Sequence, residues 1–283
     1  MPVPPLSDGL ASPAGDAGQV GRVGQVAVAG SDGVQVRFDR RGSSTEIELS
    51  DTTGRPAEPT LVRSVADAIA VIGARPEIVG TDVHLAADHP AGSLDPLPEA
   101  VADAVGFGNR RDLLQLRRAL PIPDDHPTRA SAPSVEMRPF RSDLDGPAWI
   151  RANNRAFATH PDQGRETDAT LAARLAAPWF DSAGFLVADD ASRPGELSGF
   201  CWTKVHGATA ADAARGEIYV IGVDPSHRGE GLGPAFVLAG LDHLAAGGLI
   251  TAMLYVDADN DTARRLYDRF GFTTHQRRRV YTP

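Results

Sequence analysis

The sequence predicts an α/β protein built on a mixed β-sheet, and three observations carry that expectation. Over residues 134–283, runs rich in β-branched and aromatic residues alternate with segments of helical period, in the order β-α-α-β-β-β-α-β-α-β. Within that half, at 218–234, a strand leads through a short glycine loop straight into a helix. A proline-dense stretch, 121–133, divides this half from a first half with a sparser version of the same alternation.

A chain of 283 residues is long enough for two modest domains. Its first 20 residues, opening MPVPPLSDGLASPAGDAG, read as a flexible tail, because Pro, Gly, Ser and Ala bury no core. They carry neither the basic nor the apolar region of a secretory signal, and no stretch approaches the ~18 apolar residues of a membrane span. Three short strands follow at 25–29, 34–38 and 45–49, then a helix at 61–72, a strand at 83–86 and a helix at 97–105. Gly106-Phe107-Gly108 then leads into a strand through Leu116, much as Phe270-Gly271-Phe272 leads to Arg277-Arg278-Arg279 at the other end. That parallel reads as a degenerate internal repeat, whose first copy at 21–120 lacks its opening strand and helices. Residues 121–133 read as an exposed linker. Beyond it, 135–140 reads as a strand, 144–157 as a helix, and 167–177 as a second helix stopped by Pro178. Strands at 185–188, 197–205 and 217–223 precede a helix at 234–246, with Pro234 at its first position. A strand at 249–256, a helix at 261–270 and a strand at 272–281 complete the pattern.

Composition narrows the function. Hydrophobic content of 42% and charged content of 23% are ordinary for a globular protein. A net charge of −9 argues against a nucleic-acid partner, and the run Arg277-Arg278-Arg279 reads as a solvated strand end. The single cysteine, Cys201, excludes an internal disulfide and a multi-thiol zinc site. Its apolar run, Gly199-Phe200-Cys201-Trp202, suits a buried hydrophobe better than a nucleophile. No metal-ligating cluster is visible. The expectation is a cytoplasmic monomer with a small-molecule partner, no metal, no nucleic acid and no membrane.

The strongest chemical signal is the loop Asp224-Pro225-Ser226-His227-Arg228-Gly229-Glu230-Gly231-Leu232-Gly233-Pro234 after the strand ending at Val223. It carries Arg-x-x-Gly-x-Gly. Glycines let backbone N–H groups turn toward one point, and a helix N-terminus adds partial positive charge, so the loop can cradle a pyrophosphate. No Gly-Lys-Ser/Thr follows, which excludes a Walker loop. Phe236 stands where a dinucleotide fingerprint needs its third glycine.

With this loop in this setting, residues 134–283 resemble the GNAT acetyltransferases, whose pyrophosphate motif is Arg/Gln-x-x-Gly-x-Gly/Ala. The resemblance implies a GNAT fold: a mixed, mostly antiparallel sheet with helices on both faces. The C-terminal copy, 134–283, would be complete and catalytic, and the N-terminal copy, 21–120, degenerate or truncated. It also implies acetyl-CoA as cosubstrate. Ile221, Gly222 and Val223, on a strand that splays from its neighbour, would hold the pantetheine arm, one amide stabilising the oxyanion of acyl transfer. Arg228, Gly229, Glu230, Gly231, Leu232, Gly233 and Pro234 would surround the pyrophosphate. Asn260, an apt N-cap, would contact coenzyme A with Asp261, Thr262, Ala263, Arg264 and Arg265. Tyr267, seven residues on along one helix face, would protonate the departing thiolate unless it simply packs in the core. The amine must be neutral to attack, so Glu217, opening the splayed strand, is the candidate base, directly or through water; an exposed edge carboxylate is its alternative.

Further segments are similar to the mycothiol synthase family, two-GNAT-domain enzymes that acetylate the cysteinyl amine of cysteinyl-glucosaminyl-inositol. They are Asn153-Asn154-Arg155-Ala156-Phe157, His160-Pro161-Asp162-Gln163-Gly164, Trp202-Thr203-Lys204-Val205-His206, Gly216-Glu217-Ile218-Tyr219-Val220 and Gly271-Phe272-Thr273-Thr274. This implies that Asp162, Lys204, Glu217 and Tyr255 contact the acceptor; without it, Lys204 reads as a solvated charge at a strand end. The first half departs from the family: no Arg-x-x-Gly-x-Gly precedes Pro121, so no site residue is carried into it. It is expected to bind no acetyl-CoA and to act as a scaffold or as one wall of the acceptor site. Two other readings stay open: a GNAT enzyme for another amine (an antibiotic, a polyamine or a protein N-terminus), and a non-catalytic acyl-CoA-binding module. A mere binder needs neither Glu217 nor Tyr267.

Overall fold

The structure, a computed structural model, describes residues 23–26, 33–41, 44–51, 56–75, 78, 82–92, 94–160, 163–209 and 213–283. The tail expected over 1–20 and residues 27–29 of the first expected strand lie outside the described residues. In the first half, β1 (Val23–Val26), β2 (Val34–Arg41) and β3 (Ser44–Asp51) form an antiparallel meander. The helix α1 (Pro59–Gly73) starts at a proline and buries Val65, Ala68, Ile69 and Ile72, a single helical stripe. It leads to β4 (Asp82–Pro90), which runs parallel to β3. Asp95 caps α2 (Pro96–Val105) by accepting from the Leu97 N–H, and Gly106 at φ 80° ends it before β5 (Asn109–Ala119).

Residues 121–133 are mostly exposed, but the stretch is anchored and partly helical. Pro127 opens a short helix, α3 (Pro127–Ser131), and Arg129 pairs with Asp242 at 2.6 Å. Ile122 is buried in the core of the second half. The strand expected at 135–140 shrinks to β6 (Arg138–Pro139), because Val135 and Met137 pack against the core instead of continuing a ladder. Then come α4 (Gly146–Ala156), α5 (Asp168–Leu175), β7 (Phe185–Asp189), β8 (Leu197–His206) and β9 (Arg215–Val223). A 3₁₀ turn (Pro225–His227) precedes α6 (Leu232–Ala246), where Pro234 is the third helical residue rather than the first. The first turn of a helix has no intrahelical partners for its N–H groups, so proline is harmless there too. The chain closes with β10 (Thr251–Asp257), α7 (Asp261–Arg269) and β11 (Thr273–Thr282).

Among the described residues, eleven strands join one sheet, in the order β1-β2-β3-β4-β11-β5-β10-β9-β8-β7-β6, and of their pairings only β3–β4 and β9–β10 are parallel. The two halves exchange their closing strands: β5 pairs with β10, and β11 pairs with β4 and β5. The first half runs β-β-β-α-β-α-β, and the second half runs the same way from β7 onward, after β6, α4 and α5, with the parallel pair in the same place.

Alternation along the strands assigns the faces. Leu254 and Val256 join α6 in the largest core, whereas Met253 and Tyr255 lie on the opposite side. Cys201 lies on the α6 side, Phe200 and Trp202 on the α4 side around Trp149. Helices α1 and α2 cover the α6 side of the first half, because Tyr281 in their core shares a face, through the β11–β5 register, with Leu114 of the α6 core. On the α4 side, the first half presents polar residues and has no helix among the described residues. There Arg278 is buried by ion pairs to Glu46 at 2.7 Å and Asp88 at 3.0 Å. The arginine run is therefore not a solvated strand end, since Arg279 also pairs with Asp112 at 2.6 Å.

Candidate active site

Strands β9 and β10 pair only where Gly216 meets Ala252 and Glu217 meets Met253. Past that point they part. A bulge in the β8–β9 ladder, between Trp202 and Thr203, accompanies the divergence and turns the end of β9. The strand carrying Ile221, Gly222 and Val223 is thus splayed, with no ladder to β10 beyond Glu217. Gly222 has a steric reason to be glycine: an added Cβ would lie 2.7 Å from the Phe200 ring.

Where β9 ends, Asp224 pins the loop. Its buried carboxylate accepts from the Ser226 N–H at 3.0 Å and pairs with Arg155 at 2.7 Å and Arg193 at 3.1 Å. Burial alone would push this carboxyl up, but the Ser226 hydrogen bonds and the two arginines hold it well below the usual carboxylate range. Asp190 receives Arg193 and His227 on its Oδ2, and hydrogen bonds to Asp190 and Glu230 raise His227 above its ordinary value. Gly231, at φ 78°, caps α6 without a side-chain hydrogen bond, leaving the first amides of the helix for another partner.

These amides open on a cavity of about 340 Å³ between the loop and α7. Among the expected cosubstrate residues, Val223, Arg228, Gly229, Gly231, Leu232, Gly233, Pro234, Thr262 and Arg265 line it. The others lie elsewhere. Ile221 is buried in the core upstream, and Glu230 is turned to His227 at 3.0 Å. Asn260 caps α7 by accepting from the Ala263 N–H at 3.1 Å, Ala263 is buried in the core, and Arg264 reaches the Ala258 carbonyl and Asp261. His227, Leu266 and Arg269 also line the cavity, though the sequence reading did not single them out. The signal was available, because 262, 265, 266 and 269 share one face of a helix. Three arginines, a histidine inclined to carry charge and a helix N-terminus suit a multiply charged anion.

On the α4 side of the splay stands Glu217, directly opposite Lys204 in the β8–β9 register. It is no exposed edge carboxylate: it is 2% exposed, and its Oε2 lies 2.6 Å from His206 Nε2. Lys204 is not solvated either. Its ammonium lies 4.6 Å from the Trp179 ring centre and 5.4 Å from that of Tyr219. Tyr255, on β10, accepts a hydrogen bond of 2.7 Å from Gln115 Nε2, so the first half enters this region after all. At the end of β10, Asp257 holds Arg111 of β5 at 2.6 Å and His160 at 3.2 Å. Asp162 lies outside the described residues. Across the sheet, Tyr267 is fully buried beside Phe272, and its hydroxyl has no hydrogen-bond partner among the described residues. Burial raises its phenol well above the ordinary value, which keeps it protonated. Splayed backbone, buried carboxylate and anion cavity are features that acyl transfer from a large anionic donor requires, whereas the Tyr267 phenol is buried and does not line the cavity.

Comparison with known proteins agrees with this arrangement. Residues 149–272 match the model of the acetyltransferase (GNAT) family. Over 178 residues the chain is 46% identical to a mycothiol acetyltransferase of Kocuria rhizophila, covering 62% of this chain and 59% of that protein. It is 51% identical over 170 residues to one of Acidimicrobium ferrooxidans, covering 60% and 53%. Against one of Mycolicibacterium paratuberculosis it is 46% identical over 195 residues, covering 65% and 60%. The chain thus matches little more than half the length of these relatives. Among solved structures, a GCN5-related N-acetyltransferase from Sphaerobacter thermophilus superposes with a TM-score of 0.59 at 21% identity, over 88% of this chain and 76% of that one. A tandem GNAT protein from the clavulanic acid biosynthesis pathway gives 0.55 at 18%, over 88% and 78%. Both likenesses extend over most of the chain and concern the fold.

Proposed function

We propose that residues 149–272, which match the model of the acetyltransferase (GNAT) family, form an acetyltransferase domain and that the protein is a cytoplasmic mycothiol acetyltransferase. It would use acetyl-CoA to acetylate the cysteinyl amine of cysteinyl-glucosaminyl-inositol. The observation that carries this reading is the 46–51% identity to relatives bearing that name, together with a family match at 149–272 that spans Lys204, Glu217 and Tyr255.

The residues fit the cosubstrate. Arg228, Arg265, Arg269 and the α6 amides would hold its phosphates, and the amides of Ile221–Val223 would run along its pantetheine arm. When bound, acetyl-CoA supplies the acetyl thioester. Glu217 takes a proton from the incoming amine, an N–H of the splayed β9 steadies the negative oxygen that develops, and Tyr267 gives its proton to the departing sulfur. On the acceptor side, Lys204 offers donors and Tyr255 a hydroxyl to a polyhydroxylated ligand, with Asp162 as a further expected contact. The first half, read as a degenerate copy, supplies Gln115 and Arg111 as a wall.

A second reading, a GNAT enzyme for another amine, draws on the extent of the likeness, since the matches reach little more than half the length of the named relatives. A competition assay separates the two. With acetyl-CoA, cysteinyl-glucosaminyl-inositol is offered beside free cysteine, spermidine and an aminoglycoside. The mycothiol reading requires a preference in kcat/KM of at least ~100-fold, since a site built for hydroxyls rejects analogues without them. A smaller preference leaves only the general acetyltransferase.

A further inference from the structure

We propose that His206 is a positioning residue for the base: it aims the Glu217 carboxylate and, through its own charge, sets the pH at which that carboxylate accepts the amine's proton. The inference rests on the reading of Glu217 as the base.

Both side chains are buried, and the contact of Nε2 with Oε2, 2.6 Å, is shorter than an ordinary N–H···O bond. His206 lies two residues beyond Lys204 on β8, and Lys204 faces Glu217 in the register, so the imidazole reaches the carboxylate diagonally across the ladder. A carboxylate 2% exposed has little water to stabilise it and needs a fixed donor. The groups around it limit which donor that is. From β8 come Lys204, engaged with Trp179 and Tyr219, and His206. On β9 itself Arg215 shares its side of the strand, opposite His206, and β10 presents Met253, which does not ionise. His206 is the group that comes within hydrogen-bond distance of the Glu217 carboxylate, at 2.6 Å.

In the neutral imidazole, an N–H at Nε2 donates to Oε2 and leaves Oε1 for the amine. A second proton at Nδ1 makes an imidazolium, which steadies the carboxylate as an anion and weakens it as a base. Without that second proton, Glu217 is the stronger acceptor.

The test compares His206→Gln, which keeps an N–H donor but cannot ionise, with His206→Leu, which does neither, and with Glu217→Gln. For each, kcat, both KM values, the pH profile of kcat/KM, the melting temperature and calorimetric acetyl-CoA affinity are measured. His206→Leu should lose about 10-fold or more in kcat with acetyl-CoA affinity unchanged. His206→Gln should recover most of that loss while its pH profile loses or displaces the ionisation seen in the unsubstituted protein. An unaltered pH profile in His206→Gln overturns the proposal, and that variant decides alone if His206→Leu fails to fold. Full kcat in Glu217→Gln would instead sink the underlying assignment of the base, whatever the His206 variants do.

Discussion

Gln115, on the closing strand of the first half, donates from Nε2 to the Tyr255 hydroxyl of the second half at 2.7 Å, both side chains being buried. The bond fixes the hydroxyl that the proposed acceptor would meet. Gln115→Leu should therefore raise the acceptor KM by about tenfold, the worth of one buried hydrogen bond, and leave acetyl-CoA affinity alone. Steady-state kinetics with each substrate varied in turn checks this; an equal rise in both KM values would mean general loosening of the sheet.

Gly231 has two reasons to resist substitution: a φ of 78°, and Pro133 Cδ only 3.3 Å from where a Cβ would sit. Gly231→Glu adds a carboxylate at the mouth of the anion cavity, so acetyl-CoA binding should be abolished while the domain stays folded. Gly231→Ala separates the strain from the charge and should bind more weakly but measurably. Calorimetry should find one equivalent of acetyl-CoA on the unsubstituted chain. The open cavity beside α2 presents Asp95, Glu99 and Asp103 where phosphates would need cations. Unchanged affinity in Gly231→Glu, or two equivalents on the parent, would contradict the assignment.

Tyr267 allows catalysis and stability to be separated. Its buried hydroxyl has no partner among the described residues, so Tyr267→Phe removes an unsatisfied polar group and should leave the melting temperature equal or higher. kcat should nevertheless fall, though by less than the ~10²–10⁴-fold expected of Glu217→Gln, because solvent can protonate a thiolate. A Tyr267→Phe protein with unaltered kcat would leave this tyrosine a packing residue only.

The loop supports make stability depend on pH in two opposite ways. Asp190 and Asp224 titrate below the usual range, so their stabilisation is complete above about pH 4 and is lost as pH falls through the folded-state values. His227 is raised, so its contribution is complete below about pH 6.5 and is lost as pH climbs through its folded-state value. Melting curves should show an acid limb that Asp224→Asn makes shallower. Parallel acid limbs in parent and variant would show that Asp224 is not the titrating group.

Much of this site was legible residue by residue, and the exceptions share a cause. The run from Ile218 to Pro234 states strand, glycine loop and helix locally, so the anion cavity could be expected from adjacent residues. The spacing of Thr262, Arg265 and Arg269 is equally local. His206 on Glu217, Gln115 on Tyr255 and Asp257 on Arg111 are different: each joins residues on separate strands, and the last two come from opposite halves. No periodicity records which strands become neighbours. Nor does composition say that Lys204 will be enclosed by Trp179 and Tyr219 instead of solvated. The short helix α3 within the proline stretch was hidden for a related reason, since proline at the first turn permits a helix as readily as an exposed turn.

The exchange of closing strands also bears on the order in which the protein can be completed. As the chain leaves the ribosome, α1, α2 and β1 to β4 emerge early, and domains generally fold as they emerge. Here β4 must wait with one edge bare, because its partner, β11, follows every other strand in the order of synthesis. β5 is likewise ready well before β10, the strand it will join. β11 therefore acts as a latch for the first half, and a ribosome that stalls short of Thr273 leaves an unpaired edge open to any passing strand.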